Sequence, residues 1–273
     1  SLETAARSLS AARFSLEDAM EIFDSHAHYN DAAFDADRDA VLAGLPAKSV
    51  VGVINAADSL SSIPACLALA ARYPFVFAAV GVHPEAAATV DAATLPQALL
   101  PFLSEKKVVA IGEIGLDYHY EDACPREQQL AVFEAQLQFA VERDLPVIVH
   151  DRDAHADTLQ LLTRYRPRGV VHCFSGSVEM LREVTALGMY IGLGGAVTFK
   201  NAKKPLAAAA AVPADRLLVE TDAPYMAPTP HRGERCNSAM IAHVLETIAA
   251  VRGVSADVLA AQTAQNVRTL FRI

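Results

Sequence analysis

The chain has 273 residues, a length that suits one large domain such as an α/β barrel. Hydrophobic residues make up 52% of it, enough for a large core, yet no run of about 18 uncharged apolar residues could cross a membrane. The formal net charge of −9 excludes a generally basic nucleic-acid-binding surface, so any contact with nucleic acid must be local or depend on bound cations.

Residues 1–19 contain Arg, Ser and Ala but lack the apolar segment of a secretory signal. We therefore expect them to be a tag or an N-terminal extension. The functional domain is expected to span residues 20–273.

The four cysteines are scattered along the chain, at positions 66, 124, 173 and 236. They form no Cys-x-x-Cys pair, which argues against a disulfide framework and against a zinc knuckle. This pattern is typical of reduced thiols, so we expect a cytoplasmic protein.

Short apolar segments rich in β-branched residues predict eight strands. A longer segment rich in Ala and Leu follows each one, and successive strands begin roughly 20 to 40 residues apart, the size of a βα unit. The predicted strands span residues 21–28, 49–57, 75–83, 108–117, 146–152, 169–176, 189–195 and 217–224.

The intervening segments show helical periodicity. Over residues 126–144, apolar side chains recur at Leu130, Phe133, Leu137 and Val141. Two further helices are expected after the last strand. Strands that alternate with helices in this way predict one α/β domain, a (β/α)8 TIM barrel. A doubly wound open sheet is the alternative, but no G-x-G-x-x-G motif follows the first strand.

Ionisable residues collect at the carboxyl-terminal ends of the predicted strands, where barrel enzymes place their active sites. A single histidine there is usually a hydrogen-bonded structural residue, and a single carboxylate often caps the next helix. Four histidines and two carboxylates on one rim would be costly to bury without a partner, which a cation provides. The residues at these ends are Asp24, His26, His28, His83, Glu113, Asp117, His150, Arg152, His172, Glu220 and Asp222.

Strand geometry indicates how the first strand would contribute to a metal site. Side chains at positions i and i+2 point to the same face, so His26 and His28 can hold one ion together. Asp24 is expected on the same face, one step deeper, where it would hydrogen-bond or orient a ligand.

A second ion would need ligands from other strands. Glu113 has two carboxylate oxygens and can bridge two ions, while His150 and His172, on neighbouring strands, can complete the second site. Asp222 is then available to bind an ion and to accept a proton from the attacking water.

Mixed imidazole and carboxylate ligands suit Zn²⁺, Mn²⁺ or a similar divalent ion such as Mg²⁺. Two such ions can activate water for hydrolysis and stabilise the attacking and leaving oxygens. No G-x-S-x-G nucleophile motif occurs, so metal-dependent hydrolysis is favoured over covalent catalysis.

Taken together, the motifs resemble the TatD family of metal-dependent deoxyribonucleases, within the wider amidohydrolase-like barrels. "GEIGLDY", "HCFSG" and "ETDAP" in this order are highly specific, whereas a lone His-x-His is weak. The matching segments follow family order at residues 23–28, 81–84, 111–118, 133–154, 170–176 and 217–225.

The resemblance implies hydrolysis of DNA phosphodiester bonds at a centre of two divalent ions. Glu113 would bridge the ions, Asp222 would be the general base, and His83, in "GVHP", would contact the substrate phosphate. The metal ligands it implies are His26, His28, Glu113, His150, His172 and Asp222.

One segment departs from the family pattern. After "ETDAPY" the family commonly has an Arg-Asn-Glu-Pro run, but residues 231–240 read "HRGERCNSAM" here. Arg232 and Arg235 remain, and we expect Asn237 to cap the next helix. The change leaves the expected metal ligands intact and affects the contacts at the rim.

Several basic residues beyond the strand ends are placed to meet phosphates, in particular Arg152 and Arg232. Residues 199–205, "FKNAKKP", either join them or form a solvated helix start. No aromatic-rich basic groove for long single strands is evident, so we expect a strand end or a short nucleic acid as substrate.

Two other functions are compatible with such a barrel. The first is an amidohydrolase or esterase acting on a small amide, lactone or ester. Several such enzymes use a carboxylated lysine as the bridge, and no lysine ends the fourth predicted strand, where Glu113 stands. The second is a binding protein with a structural metal, which the candidate base Asp222 argues against.

Overall fold

The computed structural model describes residues 20–119 and 124–273, so the expected N-terminal extension lies outside the described residues. Eight parallel strands form one sheet in which each strand pairs with the next along the chain. The strands are β1 Ile22–Ala27, β2 Val50–Ala56, β3 Val76–Val80, β4 Val108–Asp117, β5 Val147–Arg152, β6 Gly169–Val171, β7 Tyr190–Leu193 and β8 Leu217–Val219.

The two ends of this sheet meet and nearly close a barrel. The backbone N–H of His28 donates to the Ala223 carbonyl at 2.7 Å, and that of Asp222 donates to the His26 carbonyl at 3.0 Å. Ala27 forms a parallel bridge with Ala223. The predicted (β/α)8 barrel is therefore confirmed, and the open-sheet alternative is wrong.

Helices occupy the connections between the strands, and short 3-10 turns complete several of them. The helix predicted at residues 126–144 ends two residues earlier than expected, and both helices expected after the last strand are present. The α-helices are α1 Arg38–Gly44, α2 Ile63–Arg72, α3 Leu95–Leu99, α4 Arg126–Glu142, α5 His155–Tyr165, α6 Val178–Ala186, α7 Lys203–Ala211, α8 Ile241–Arg252 and α9 Ala256–Phe271.

Two strands end well before the sequence predicts. β6 was expected to reach residue 176 and β8 residue 224, but they end at Val171 and Val219. Just beyond them, Cys173 (φ 44°) and Asp222 (φ 64°) have left-handed backbones, which regular extended strands do not contain. His172 and Asp222 consequently lie in loops that turn across the end of the barrel.

A hydrophobic cluster and α9 occupy the amino-terminal end of the barrel. Val267, Leu270 and Phe271 of α9 pack with side chains from the strands. Asn266, also on α9, donates to the carbonyls of Ala214 and Leu217, where β8 begins. Because this end is filled, the carboxyl-terminal end is the one available for a site. None of the helices in the described ranges has the length and apolar character needed to span a membrane.

Candidate metal centre

The carboxyl-terminal end of the barrel brings together five histidines and two carboxylates. β1 and the residue after it supply two histidines, β4 supplies the glutamate, and β5 supplies one histidine. The loops after β3, β6 and β8 supply the rest. These residues are His26, His28, His83, Glu113, His150, His172 and Asp222.

The first group of ligand atoms surrounds one point between β1 and β8. The Nε2 atoms of His26 and His28 lie 2.9 Å apart. Oε2 of Glu113 is 3.3 and 3.2 Å from them, and Oδ1 of Asp222 is 3.5 and 3.4 Å from them. Four atoms that carry lone pairs therefore converge within the span of one coordination sphere.

The second group surrounds the other oxygen of the same glutamate. Oε1 of Glu113 lies 2.7 Å from Nε2 of His172 and 3.0 Å from Nδ1 of His150. The two imidazole nitrogens are 3.4 Å apart. Glu113 thus presents one oxygen to each group, which is the arrangement of a bridging ligand.

The hydrogen bonds of the histidines show that this donor set fits divalent cations. Nδ1 of His28 faces the carbonyl of Ala56 at 2.9 Å, and because a carbonyl can only accept, Nδ1 carries a proton. Burial lowers the pKa of His28, but hydrogen bonds with Asp222 and Glu113 outweigh burial and hold it well above its ordinary value. A neutral His28 therefore turns a bare Nε2 toward the oxygens of Glu113 and Asp222 only when a cation takes the place of that proton. A cation bound between these atoms removes the repulsion between their lone pairs. Mixed nitrogen and oxygen ligands suit Zn²⁺ or Mn²⁺.

Electrostatics keeps the two carboxylates of this centre ionised. Burial raises the pKa of Glu113, but the neighbouring imidazoles, His172 foremost, outweigh burial and hold it well below its ordinary value. The pKa of Asp222 is likewise lowered, since the adjacent imidazoles of His26 and His28 outweigh burial. Both carboxylates stay ionised and attract cations.

His83 faces the same centre with a different chemical role. Its Nδ1 accepts a hydrogen bond from the backbone N–H of Glu85 at 3.2 Å and so caps the turn that begins at Pro84. Nε2 then carries the proton and lies 3.5 Å from Oε1 of Glu113. Burial lowers the pKa of His83 to about 4, so the ring is a neutral hydrogen-bond donor.

Asp24 is buried between β1 and the loop after β8. Its Oδ1 accepts from the backbone N–H of His26 at 3.2 Å and of Thr221 at 3.0 Å. Its Oδ2 accepts from the hydroxyls of Thr221 and Ser238, each at 2.6 Å. Asp24 therefore holds the backbone beside two ligand positions and makes no hydrogen bond to the imidazole of His26 or of His28.

Two further carboxylates stand behind the histidines, and sequence reasoning did not assign them a role. Oδ2 of Asp117 lies 2.9 Å from Nε2 of His150, which orients that ring and leaves Nδ1 toward Glu113. Glu220 is fully buried, accepts from the backbone N–H of Cys173, and lies 3.7 Å from Nδ1 of His172. Their positions at strand ends were visible in the sequence, but a helix cap would leave the same signal.

The expected basic contacts lie around this end of the barrel in different settings. Arg152 is the last residue of β5 and partly buried. Arg232 stacks 3.7 Å over the ring of Phe199 and donates to the Ala227 carbonyl at 2.9 Å. Arg235 instead forms a two-bond ion pair with Asp37, so it joins two loops.

In the segment that departs from the family pattern, Asn237 caps the helical turn that follows it. The side chain of Asn237 accepts a hydrogen bond from the backbone N–H of Ala239 at 3.1 Å, which confirms the expected cap. Within "FKNAKKP", Lys200, Lys203 and Lys204 are exposed, and α7 begins at Lys203.

A parallel barrel with this donor set at its carboxyl-terminal end belongs to the metal-dependent hydrolases. Comparison with known proteins identifies the family within this class. The chain belongs to the TatD family: the family model described as "TatD related DNase" matches residues 23–272.

Relatives with curated names agree with this assignment. A Bacillus subtilis protein named "Uncharacterized metal-dependent hydrolase YabD" is 38% identical over 92% of this chain and 99% of its own length. A Salmonella typhimurium protein named "3'-5' ssDNA/RNA exonuclease TatD" is 37% identical over the same shares. Among solved structures, YJJV, a TatD homologue from Escherichia coli, is 34% identical and superposes with a TM-score of 0.86 over 93% of this chain and 99% of its own.

Proposed function

We propose that this protein is a nuclease that removes nucleotides from the 3′ ends of single-stranded nucleic acid. The activity printed for the Salmonella typhimurium relative supports this proposal, because that protein is similar along almost its entire length. The alternative of a small-amide or lactone hydrolase has no such support among the relatives described above.

The observation that carries the proposal is the division of Glu113 between two groups of ligand atoms. Oε2 lies 3.2 Å from Nε2 of His28, and Oε1 lies 2.7 Å from Nε2 of His172. We propose that His26, His28 and Asp222 hold one divalent ion, that His150 and His172 hold the second, and that Glu113 bridges both. Two such ions would supply an activated water and charge stabilisation for phosphodiester hydrolysis.

Asp222 is proposed as the general base. Its carboxylate is the most exposed of the ligand set, with 21% of the side chain accessible, so water can reach it. The left-handed backbone at this residue turns it across the open end of the barrel. A carboxylate oxygen of Asp222 would accept the proton of the attacking water.

The residues around the centre would position the phosphate and its neighbours. The Nε2–H of His83 is proposed to donate to a non-bridging oxygen of the cleaved phosphate. Arg152 and Arg232 would contact flanking phosphates as charge-assisted donors. With a formal net charge of −9, the chain offers few such contacts, which favours a strand end or a short nucleic acid over a long duplex.

We also propose that the protein works in the cytoplasm. All four cysteines are unpaired, and three of them are buried. Unpaired thiols match a reducing compartment.

A substrate panel tests the proposed function. Protein stripped with a chelator and reloaded with Mg²⁺, Mn²⁺ or Zn²⁺ would be given single- and double-stranded DNA and RNA labelled at either end, beside ester, lactone and amide substrates. We expect single strands to be shortened from the 3′ end. Efficient turnover of an amide or lactone with every strand intact would contradict the proposal.

A further inference from the structure

The loop after β8 carries an exposed aromatic ring beside the metal centre. Tyr225 is 56% exposed, whereas every other Phe and Tyr in residues 20–119 and 124–273 is buried or half-buried. Aromatic residues make up only 7% of the chain, and most of those described are buried or half-buried. An exposed ring beside the proposed nuclease site offers a face on which a nucleobase can stack.

Tyr225 is fixed in place rather than free to swing. Its backbone N–H donates to the carbonyl of Asp222 at 2.9 Å, which ties it to the proposed general base. Its hydroxyl donates to Oδ2 of Asp31 at 2.9 Å, in the loop after β1. The other oxygen of Asp31 accepts from the backbone N–H of Ala33, so the anchor is itself held. The ring therefore spans the loops after β1 and β8 beside the open end of the barrel.

The negative charge around the Tyr225 ring favours contact with the base of a nucleotide over contact with its phosphate. The hydroxyl contacts the carboxylate of Asp31, and Asp222 lies three residues away in the same turn. Carboxylates repel a phosphate, whereas the uncharged face of a base stacks on an aromatic ring without a cation. Stacking of this kind stabilises a bound base and tolerates all four bases.

We propose that Tyr225 is a stacking platform for the nucleobase next to the cleaved phosphodiester bond. This inference rests on the proposed nuclease function and adds to it a subsite for the base. The base on Tyr225 would set the register of the strand, so that the adjacent phosphate meets Glu113 and Asp222. Because stacking is sequence-tolerant, the subsite would favour nucleotides over base-free phosphodiesters without selecting one base.

A cleavage assay with abasic strands tests the subsite. Short single strands would carry an abasic nucleotide at the last or the next-to-last 3′ position, and kcat/KM would be compared with that of the intact strand. For wild type we expect a loss of about fivefold or more at one of the two positions. Tyr225→Ala should show a similar loss on the intact strand and little further loss on the abasic strand. An identical preference for the base in wild type and Tyr225→Ala would overturn the inference.

A conservative variant separates stacking from loop anchoring. Tyr225→Phe removes the hydrogen bond to Asp31 and keeps the ring, so it should retain the preference for the base. Loss of that preference in Tyr225→Phe, with the fold intact by circular dichroism, would show that the hydroxyl acts through the loop and would overturn the platform.

A binding experiment keeps the test independent of cleavage. The chain contains no Trp, so Tyr225→Trp introduces a single fluorescent reporter. With divalent ion present, deoxyadenosine monophosphate should quench it, and deoxyribose 5-phosphate should not. Val258→Trp is the matched control, because Val258 is equally exposed, at 56%, but belongs to the helix that covers the opposite end. Equal quenching of the two Trp variants would contradict the subsite even if the protein cleaves DNA. Quenching of Tyr225→Trp without cleavage would contradict the nuclease proposal and leave the base subsite standing.

Discussion

Glu113 shows most clearly how single residues define the centre. One of its oxygens faces His28 and the other faces His172, and the side chain is almost fully buried. The sequence predicted this bridge because a glutamate ended a strand among strands that ended in histidines. It could not predict the carboxylates of Asp117 and Glu220 behind the rings, because a strand-end carboxylate that caps a helix looks the same.

Replacing the carboxylate proposed to bridge the two ions should remove metal. Glu113→Gln keeps the shape of the side chain but loses its charge and one of its two acceptor oxygens. We expect a drop in metal affinity larger than the roughly 10- to 100-fold typical when an outer hydrogen-bond partner is lost. Metal content per chain, measured by atomic spectroscopy after dialysis, checks this. Glu183→Gln, at an exposed position of α6, should keep its metal, and full metal content in Glu113→Gln would refute the bridge.

Asp24 is expected to act through stability rather than through chemistry. Asp24→Ala would leave four donors without their acceptor, from His26, Ser238 and two groups of Thr221. We expect a loss of roughly 3 kcal/mol or more in the free energy of unfolding, measured by urea denaturation. The control Asp215→Ala, at a surface pair with Arg216, should change it by less than about 0.5 kcal/mol. A small effect of Asp24→Ala would contradict this structural role.

The periodicity of the sequence predicted the number and order of the strands and helices, but it did not predict the residues at which they end. β6 and β8 are shorter than predicted because Cys173 and Asp222 turn the backbone into the left-handed region just beyond them. The apolar run at residues 205–212 does not by itself show how deeply its helix is buried. It is helical, but in α7 only Ala208 and Ala209 are buried, because one face of the helix packs on the barrel and the other meets water.

Strand β7 makes room for a carboxylate of its neighbour. A Cβ atom at Gly192 would lie 2.3 Å from Oε2 of Glu220. We expect Gly192→Ala to displace Glu220, lower the free energy of unfolding by about 1–3 kcal/mol and disturb the loop that carries His172. Gly44→Ala is the matched control, since nothing lies within 4 Å of its Cβ position. Equal melting temperatures for the two variants would contradict the packing described for Glu220.

In the whole molecule, the two ends of the barrel have different roles, one structural and one functional. α9 packs its apolar face over the amino-terminal end, and the ionisable residues gather at the opposite end. Alternation of strands and helices was enough to predict the barrel. The role of α9 as a cover was not predictable, because an amphipathic pattern shows which face is buried and not what it is buried against.

A cavity at the structural end should lower stability and leave chemistry unchanged. Leu270 on α9 is 1% exposed, and Leu270→Ala removes buried contacts far from the metal centre. We expect a loss of about 2–5 kcal/mol in the free energy of unfolding. Well below the melting temperature, kcat and metal content should match wild type, whereas Val258→Ala on the exposed face of the same helix should have little effect on stability. A large fall in kcat for folded Leu270→Ala would show that the two ends are not independent.

The most direct measurement of the central claim is the shortening of a 5′-labelled single strand by metal-stripped and reloaded protein, with Asp222→Asn alongside. We expect no shortening in excess chelator, loss of nucleotides one at a time from the 3′ end once Mg²⁺, Mn²⁺ or Zn²⁺ is restored, and almost none with folded Asp222→Asn. Shortening that persists in excess chelator, or folded and metal-loaded protein that leaves every strand intact with all three ions, would contradict a metal-dependent nuclease centre at this end of the barrel.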